Sequence, residues 1–279
     1  MDSQVLTQTA ELLNLTSSAR IYDLSQPTHS QMPQLPGAPR YTLALLRRHG
    51  DAFRNEGLST ANELVVSICH AGTHIDALGH VSVDGVLHGG VCAAEAQTGL
   101  GGLQSLGIES APLFLRRGVL LDAAKALGVD ALAPAQGVDA DVLQACATEA
   151  DVTIGPGDVV LVRTGWGQYW NDADRYTGQG LGLAGVSLDG ATWLAERGIS
   201  ATGADCLMYE SFRVGVDALP VHAMMIQKHG IYLVENVNLE ALSRDGISTF
   251  VIVMLPLALV GATGSPVRPI AVSPQRGQP

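Results

Sequence analysis

Gly155-Pro-Gly-Asp-Val-Val-Leu-Val-Arg163 is the stretch that decides the architecture. A Pro/Gly turn feeds a short, β-branched apolar run without polar alternation, the pattern of a buried strand. Outward from it, Val65–Ile68, Gly118–Leu121, Val159–Val162, Ile199–Thr202, Ile231–Val234 and Phe250–Val253 read as further runs of this kind. Helical stretches lie between them. Asp139–Glu149 follows the turn signal Pro134–Gly137, and Ser187–Arg197 starts on a serine N-cap and stops at Gly198. Strands alternating with helices predict an α/β fold. The polar, aromatic stretch Gly165–Tyr176 follows a strand, the position of a site loop or of an ordinary surface excursion. The longest apolar run, Phe250–Val260, has 11 residues with Pro256 inside. A membrane-spanning helix needs about 20, so a buried strand is expected there.

Composition narrows the partners. The 279 residues include 27 acidic and 16 basic side chains, for a formal charge of −11, and Lys125 and Lys228 are the only lysines. A nucleic-acid footprint needs clustered basic charge, and so does docking to an anionic membrane. Neither partner is expected; a small molecule is. Met1–Ala19 is polar and lacks the basic and apolar regions of a secretory leader. Cys69, Cys92, Cys146 and Cys206 form no C-x-x-C pair, as in a reduced, cytoplasmic protein. Glycine and proline are scattered through short turns and not gathered in a linker, so a single domain over 1–279 is expected.

Chemistry concentrates in His70-Ala-Gly-Thr-His74-Ile-Asp76-Ala-Leu-Gly-His80, with His88 completing four histidines in 19 residues. Imidazoles and a carboxylate suit a divalent metal. On a helix, His70 and His74 would share a face while Asp76 and His80 pointed away. In extended chain, all four even-numbered residues face one side. A straight strand would spread them over roughly 33 Å at about 3.3 Å per residue, so a turn near Gly72 must fold His70 back toward His74 and Asp76. Packing alone explains such a cluster poorly. Cys69 would face the opposite side, leaving a thiolate-free, open site of the catalytic type. His88, after the Asp84-Gly85 turn, reads as a pocket or surface residue. Further on, Glu235 ends an apolar run; its segment alone favours a strand-end surface residue over a ligand. Asp205 and Glu210 pose the same choice.

Other enzyme signatures fail. There is no G-x-S-x-G elbow and no Walker A lysine. Gly180-Leu-Gly-Leu-Ala-Gly185 matches G-x-G-x-x-G, but polar Asn171–Gln179 precedes it where a dinucleotide site needs a strand.

The motif His70-x-Gly72-Thr73-His74-x-Asp76-x-x-x-His80 resembles the signature of the cyclase family of metal-dependent hydrolases. That family includes bacterial kynurenine formamidase, isatin hydrolase, cyclic-imide hydrolases and enzymes named as polyketide cyclases. The resemblance runs from about residue 20 to 272. It takes in Ile21-Tyr-Asp-Leu-Ser25, Met32-Pro33, Leu161-Val-Arg-Thr-Gly-Trp166, Gly203-Ala-Asp205, Pro220-Val-His222, Glu235-Asn236 and Gly261-Ala-Thr-Gly-Ser-Pro-Val-Arg-Pro269. It departs at Leu78, where many members carry proline. The resemblance implies a layered β/β/α arrangement with a mixed, barrel-like sheet, and a homo-oligomer, dimer or tetramer. It implies that His70, His74 and Asp76 hold the metal and that His80 is the acid/base. In two-metal members, counterparts of His222 and Glu235 complete the site. The reaction expected is opening of a cyclic amide, imide or lactone, or cleavage of a related formamide, with the amide bond preferred. Manganese is expected ahead of zinc, since no thiolate is present. Trp166, Tyr169 and Trp170 could wall a ring substrate or serve the core or an interface. Two readings of another kind stand beside this one. A non-haem iron oxygenase can use two histidines and a carboxylate, and a silent metal- or ligand-binding protein needs no turnover at all.

Overall fold

The structure, a computed structural model, describes residues 17–178, 180–216 and 218–274. Most of the polar stretch at 1–19 therefore lies outside the described residues, as does Gln179. The main strands are β1 (Ala19–Asp23), β2 (Thr42–Arg47), β3 (Asn62–Val66), β4 (His74–Asp76), β5 (Phe114–Asp122), β6 (Val159–Arg163), β7 (Ala201–Ala204), β8 (Tyr232–Glu235), β9 (Thr249–Met254), β10 (Gly264–Pro266) and β11 (Ile270–Pro274).

Nine of them form one mixed sheet in the order β1-β11-β9-β5-β6-β7-β8-β4-β10, curled into a half-barrel. β5, β6, β7 and β8 run parallel, and their neighbours on both sides are antiparallel. Parallel neighbours need crossovers that lay helices on the sheet. The helix Ala140–Glu149 lies between β5 and β6 in sequence, and Leu188–Ala195 between β6 and β7. Their caps follow the sequence signals. Asp139 accepts from the Val142 N–H at 3.0 Å, the Ser187 hydroxyl accepts from the Gly190 N–H at 3.2 Å, and Gly198 takes a left-handed φ of 68°. The helices and one sheet face enclose a core that includes Val160, Val162, Leu194 and Leu233; the other face packs Leu120, Leu161, Val234 and Ile252. β6, β7 and β8 are buried throughout, which is why their sequences show no alternation.

Several expectations shift. The strands read at Ile199–Thr202 and Ile231–Val234 lie further on, at Ala201–Ala204 and Tyr232–Glu235, so that Glu235 is the last residue of a buried strand. The run Val65–Ile68 is not a buried strand. β3 ends at Val66 and pairs with β2 as a separate, wholly exposed hairpin. The run Phe250–Val260 is a strand only to Met254, because Pro256 offers no N–H to a ladder. Leu255, Leu257, Leu259 and Val260 are exposed. The cysteines are free, with Cys146 and Cys206 buried, Cys69 half-buried and Cys92 exposed. Among the described residues, no helix is long and apolar enough to cross a membrane.

Candidate metal centre

The turn at Gly72 takes φ of 66°, a conformation that costs glycine nothing. It reverses the chain so that His70 meets Asp76 on the short strand β4, with His70 Nδ1 at 2.7 Å from Asp76 Oδ1. The Gly72 carbonyl accepts from His74 Nδ1 at 2.8 Å and from the Asn236 side-chain amide at 3.0 Å. Thr73 donates to the Asn236 carbonyl at 2.6 Å and accepts from the Gln26 N–H at 2.8 Å. Asn236, itself at φ 56°, thus clamps the turn from the strand across. The His70 ring fits because Gly264 sits opposite Asp76 on β10. A Cβ there would lie 2.7 Å from His70 Cε1. His70 Nε2 pairs with the Thr263 hydroxyl at 2.9 Å.

The sheet brings in the remainder. β8 pairs antiparallel with β4, placing Glu235 directly across from His74. The Glu235 carboxylate lies 3.4 Å from His74 Nε2 and 3.1 Å from His222 Nε2, and it accepts from the Tyr209 N–H at 2.8 Å. His222 stands in a helical turn with Nδ1 2.6 Å from Glu210, which also accepts from the His222 backbone N–H at 2.9 Å. Two ligand sets result, His70/His74/Asp76 and Asp76/His222/Glu235, each with its donor atoms within 4.8 Å of one another. The surface reading of Glu235 is corrected: it is 6% exposed, and Glu210 and Asp205 are likewise buried. Strand pairing, invisible within one segment, turns the Glu235 carboxylate inward, while Glu210 is held by His222 and Asp205 by the loop at 164–167.

The donor set fits a divalent cation. Asp76 Oδ2 is buried and has no hydrogen-bond partner, a costly state for a carboxylate oxygen unless a positive charge completes it. It faces His222 Nε2 at 4.0 Å. Burial opposes charge on His74, but the Glu235 hydrogen bond and the Asp76 and Glu235 charges outweigh it and raise its pKa to about 8. His222 is raised to about 10 against the same burial, by Glu210 and Glu235. Glu235 is held well below the usual carboxylate range, since hydrogen bonds from His222 and His74 overcome its desolvation.

His80 follows the cluster and stacks on His70 with ring centroids 4.2 Å apart. Burial lowers its pKa despite the pull of Asp76. Its backbone depends on Gly79, where a Cβ would press on Leu103 and the Leu106 carbonyl. His88 is half-buried and pairs with the Gln227 carbonyl at 2.9 Å. The aromatic trio packs in the core on the helix side of the sheet or over it. Trp166 and Trp170 are buried, their indole N–H groups bonded to the Leu132 and Pro27 carbonyls at 3.0 Å, and Arg175 lies 3.6 Å over the Tyr169 ring. None of these bonds or ring contacts reaches the histidines. Asp205 anchors their loop, accepting from Thr164, Gly165 and Gly167 backbone N–H groups. Sequence reasoning did not single out Thr263, nor Glu210 as the partner of His222. The Gly261–Pro269 block contained the first; nothing local marked the second.

A mixed, half-barrel sheet whose β4–β8 pair gathers two histidine–carboxylate sets around one shared aspartate defines a class of candidate metal-site protein. The chain belongs to the Cyclase family, whose model, described as "Putative cyclase", matches residues 22–211. A solved structure described as a novel cyclase superposes with a TM-score of 0.85 at 27% identity, covering 95% of this chain and 92% of that one. An isatin hydrolase bound to the product analogue thioisatinate shares the fold, with a TM-score of 0.75, 20% identity and coverage of 99% and 100%. Kynurenine formamidase from Sphingopyxis alaskensis is 40% identical over 67 residues, which is 24% of this chain and 30% of that protein.

Proposed function

We propose that the chain is a metal-dependent hydrolase that opens a cyclic amide, imide or lactone, or cleaves a related formamide, to give a carboxylate. The observation that carries this reading is the pair of ligand sets sharing Asp76, whose second oxygen is left without a partner. His70, His74 and Asp76 would hold one divalent ion, and Asp76, His222 and Glu235 a second. A cation bound there lowers the pKa of water toward about 7 and polarises a carbonyl oxygen. Manganese is favoured over zinc by a donor set of nitrogen and oxygen alone.

The chain's own groups supply the rest. His80, whose pKa burial lowers, would accept a proton from water and return it to the leaving nitrogen or oxygen. Its stacking on His70 holds the imidazole beside the ligands. Amide substrates are preferred over esters because the named relatives are an isatin hydrolase and a formamidase. The test is a panel of cyclic amides, imides, lactones and formamides, run on metal-loaded and metal-stripped protein and on His74→Ala. Turnover is expected only with metal, and it should persist when dioxygen is excluded. Full turnover in stripped protein, or a strict need for dioxygen, overturns the reading.

A further inference from the structure

Tyr176 closes the polar, aromatic stretch Gly165–Tyr176 and is fully buried, with its ring edge-on to Trp170 at 5.2 Å between centroids. Its hydroxyl lies 2.9 Å from Asn236 Oδ1 and 3.1 Å from the Asp205 carbonyl. Burial pushes its pKa well up, so the hydroxyl keeps its proton. From there a line of hydrogen bonds runs to a candidate ligand. Asn236 Nδ2 donates to the Gly72 carbonyl at 3.0 Å, and the same carbonyl accepts from His74 Nδ1 at 2.8 Å.

The direction of this line is fixed by donor and acceptor chemistry. A carbonyl oxygen only accepts, so the Asn236 amino group and a proton on His74 Nδ1 must both face Gly72. Asn236 Oδ1 is then turned toward Tyr176, which donates to it. With Nδ1 engaged, Nε2 is the His74 nitrogen a cation takes, and it is the one that faces Asp76 and Glu235, at 3.6 and 3.4 Å. The backbone of Asn236 is spent as well: its N–H donates to the Cys206 carbonyl at 3.1 Å, and its carbonyl accepts from Thr73 at 2.6 Å. Such a residue acts on the site through the turn and does not touch substrate. Resting on the metal reading above, we infer that Tyr176 and Asn236 are positioning residues. They form a buried hydroxyl–amide relay that sets the Gly72 carbonyl and, through it, the His74 ring for the ion held by His70, His74 and Asp76.

The experiment is calorimetric titration of the stripped full chain with Mn²⁺, which reads affinity apart from turnover. Asn236→Gly keeps the left-handed backbone without strain. It should weaken the His70/His74/Asp76 site about 10–100-fold, the range for a lost orienting group. Tyr176→Phe keeps the ring and its packing and should weaken the same site about tenfold, the low end of that range. The double variant should bind no worse than Asn236→Gly, because Tyr176 acts only through the amide. Thr202→Val deletes another fully buried hydroxyl, one bonded to the Val160 carbonyl and to Tyr209. It should lower the melting temperature as Tyr176→Phe does and leave Mn²⁺ affinity intact. Unchanged affinity in Tyr176→Phe overturns the inference alone, as does an equal loss in Thr202→Val or an additive loss in the double variant. A wild-type chain that takes up no Mn²⁺ overturns the metal reading and the inference with it.

Discussion

The two halves of the candidate metal centre are built by opposite means. His70, His74 and Asp76 come from seven consecutive residues, brought together by one positive-φ glycine and a three-residue strand. His222 and Glu235 come from a helical turn and the end of another strand, and they meet Asp76 only because β8 lies beside β4. The local half sits at a partly exposed rim, whereas the distant half is buried on all three residues. A ligand set made by one turn depends on a few dihedral angles. A set made by sheet order depends on the whole fold, and it needs orienting groups such as Glu210 to fix each imidazole. Asp76 joins the two, one oxygen near His70 and the other toward His222.

The harshest way to break this comparison is at the shared residue. Asp76→Asn should empty both halves together and lower turnover at least ~10³-fold, the scale expected when a metal's charge stabilisation is removed. Metal content by plasma mass spectrometry is the measurement. Retention of one ion per chain would show that the halves are independent. His222→Ala should divide them. It should leave one ion per chain held by His70, His74 and Asp76 and reduce turnover by roughly 10²-fold, about one electrostatic contact's share. Loss of both ions would mean that the local turn cannot hold a cation alone.

What could be read beforehand follows the same division. The turn at Gly72 was legible because spacing, side-chain alternation and a flexible residue all lie within one segment. The strand at Val159–Val162 and the N-caps Asp139 and Ser187 were legible for the same reason. Glu235 read as a surface residue because no single segment shows that its neighbour across the ladder is His74. Glu210 was open for the same reason: its buried state depends on His222, twelve residues on and in another element. The hairpin misled in the other direction. Val65 and Val66 have the composition of a core strand, yet they lie on a two-stranded arm that the chain itself leaves exposed.

Glu210 offers a milder and more selective test. Glu210→Ala removes the acceptor of His222 Nδ1 without touching either ligand set's donor atoms. Loss of such an orienting group costs about 10–100-fold in metal affinity. Titration calorimetry should show that cost at the Asp76/His222/Glu235 site only, and rescue by Glu210→Gln, which keeps an acceptor oxygen, should be partial. An equal loss at both sites would mean that Glu210 supports the fold and not the distant half.

The smallest effect is on stability, and its sign separates metal from proton. In the metal-free chain, His74 and His222 have pKa values raised to about 8 and about 10, against about 6.5 for an unfolded histidine. Their protonated forms therefore stabilise the fold fully below about pH 6.5, and that contribution fades as pH rises through 8 and then 10. A cation needs the same imidazoles unprotonated, so it competes with those protons. The melting temperature of stripped protein should fall by a few degrees between pH 6.5 and 9, while the rise on adding Mn²⁺ grows over the same interval. His222→Ala should remove the part of both curves above about pH 8 and reduce the part between 6.5 and 8, where both rings contribute and His74 alone then remains. A metal-induced rise that does not change with pH would mean that Asp76 and Glu235 do not hold protons on these two rings, and the buried half would then lack the electrostatic coupling its geometry describes.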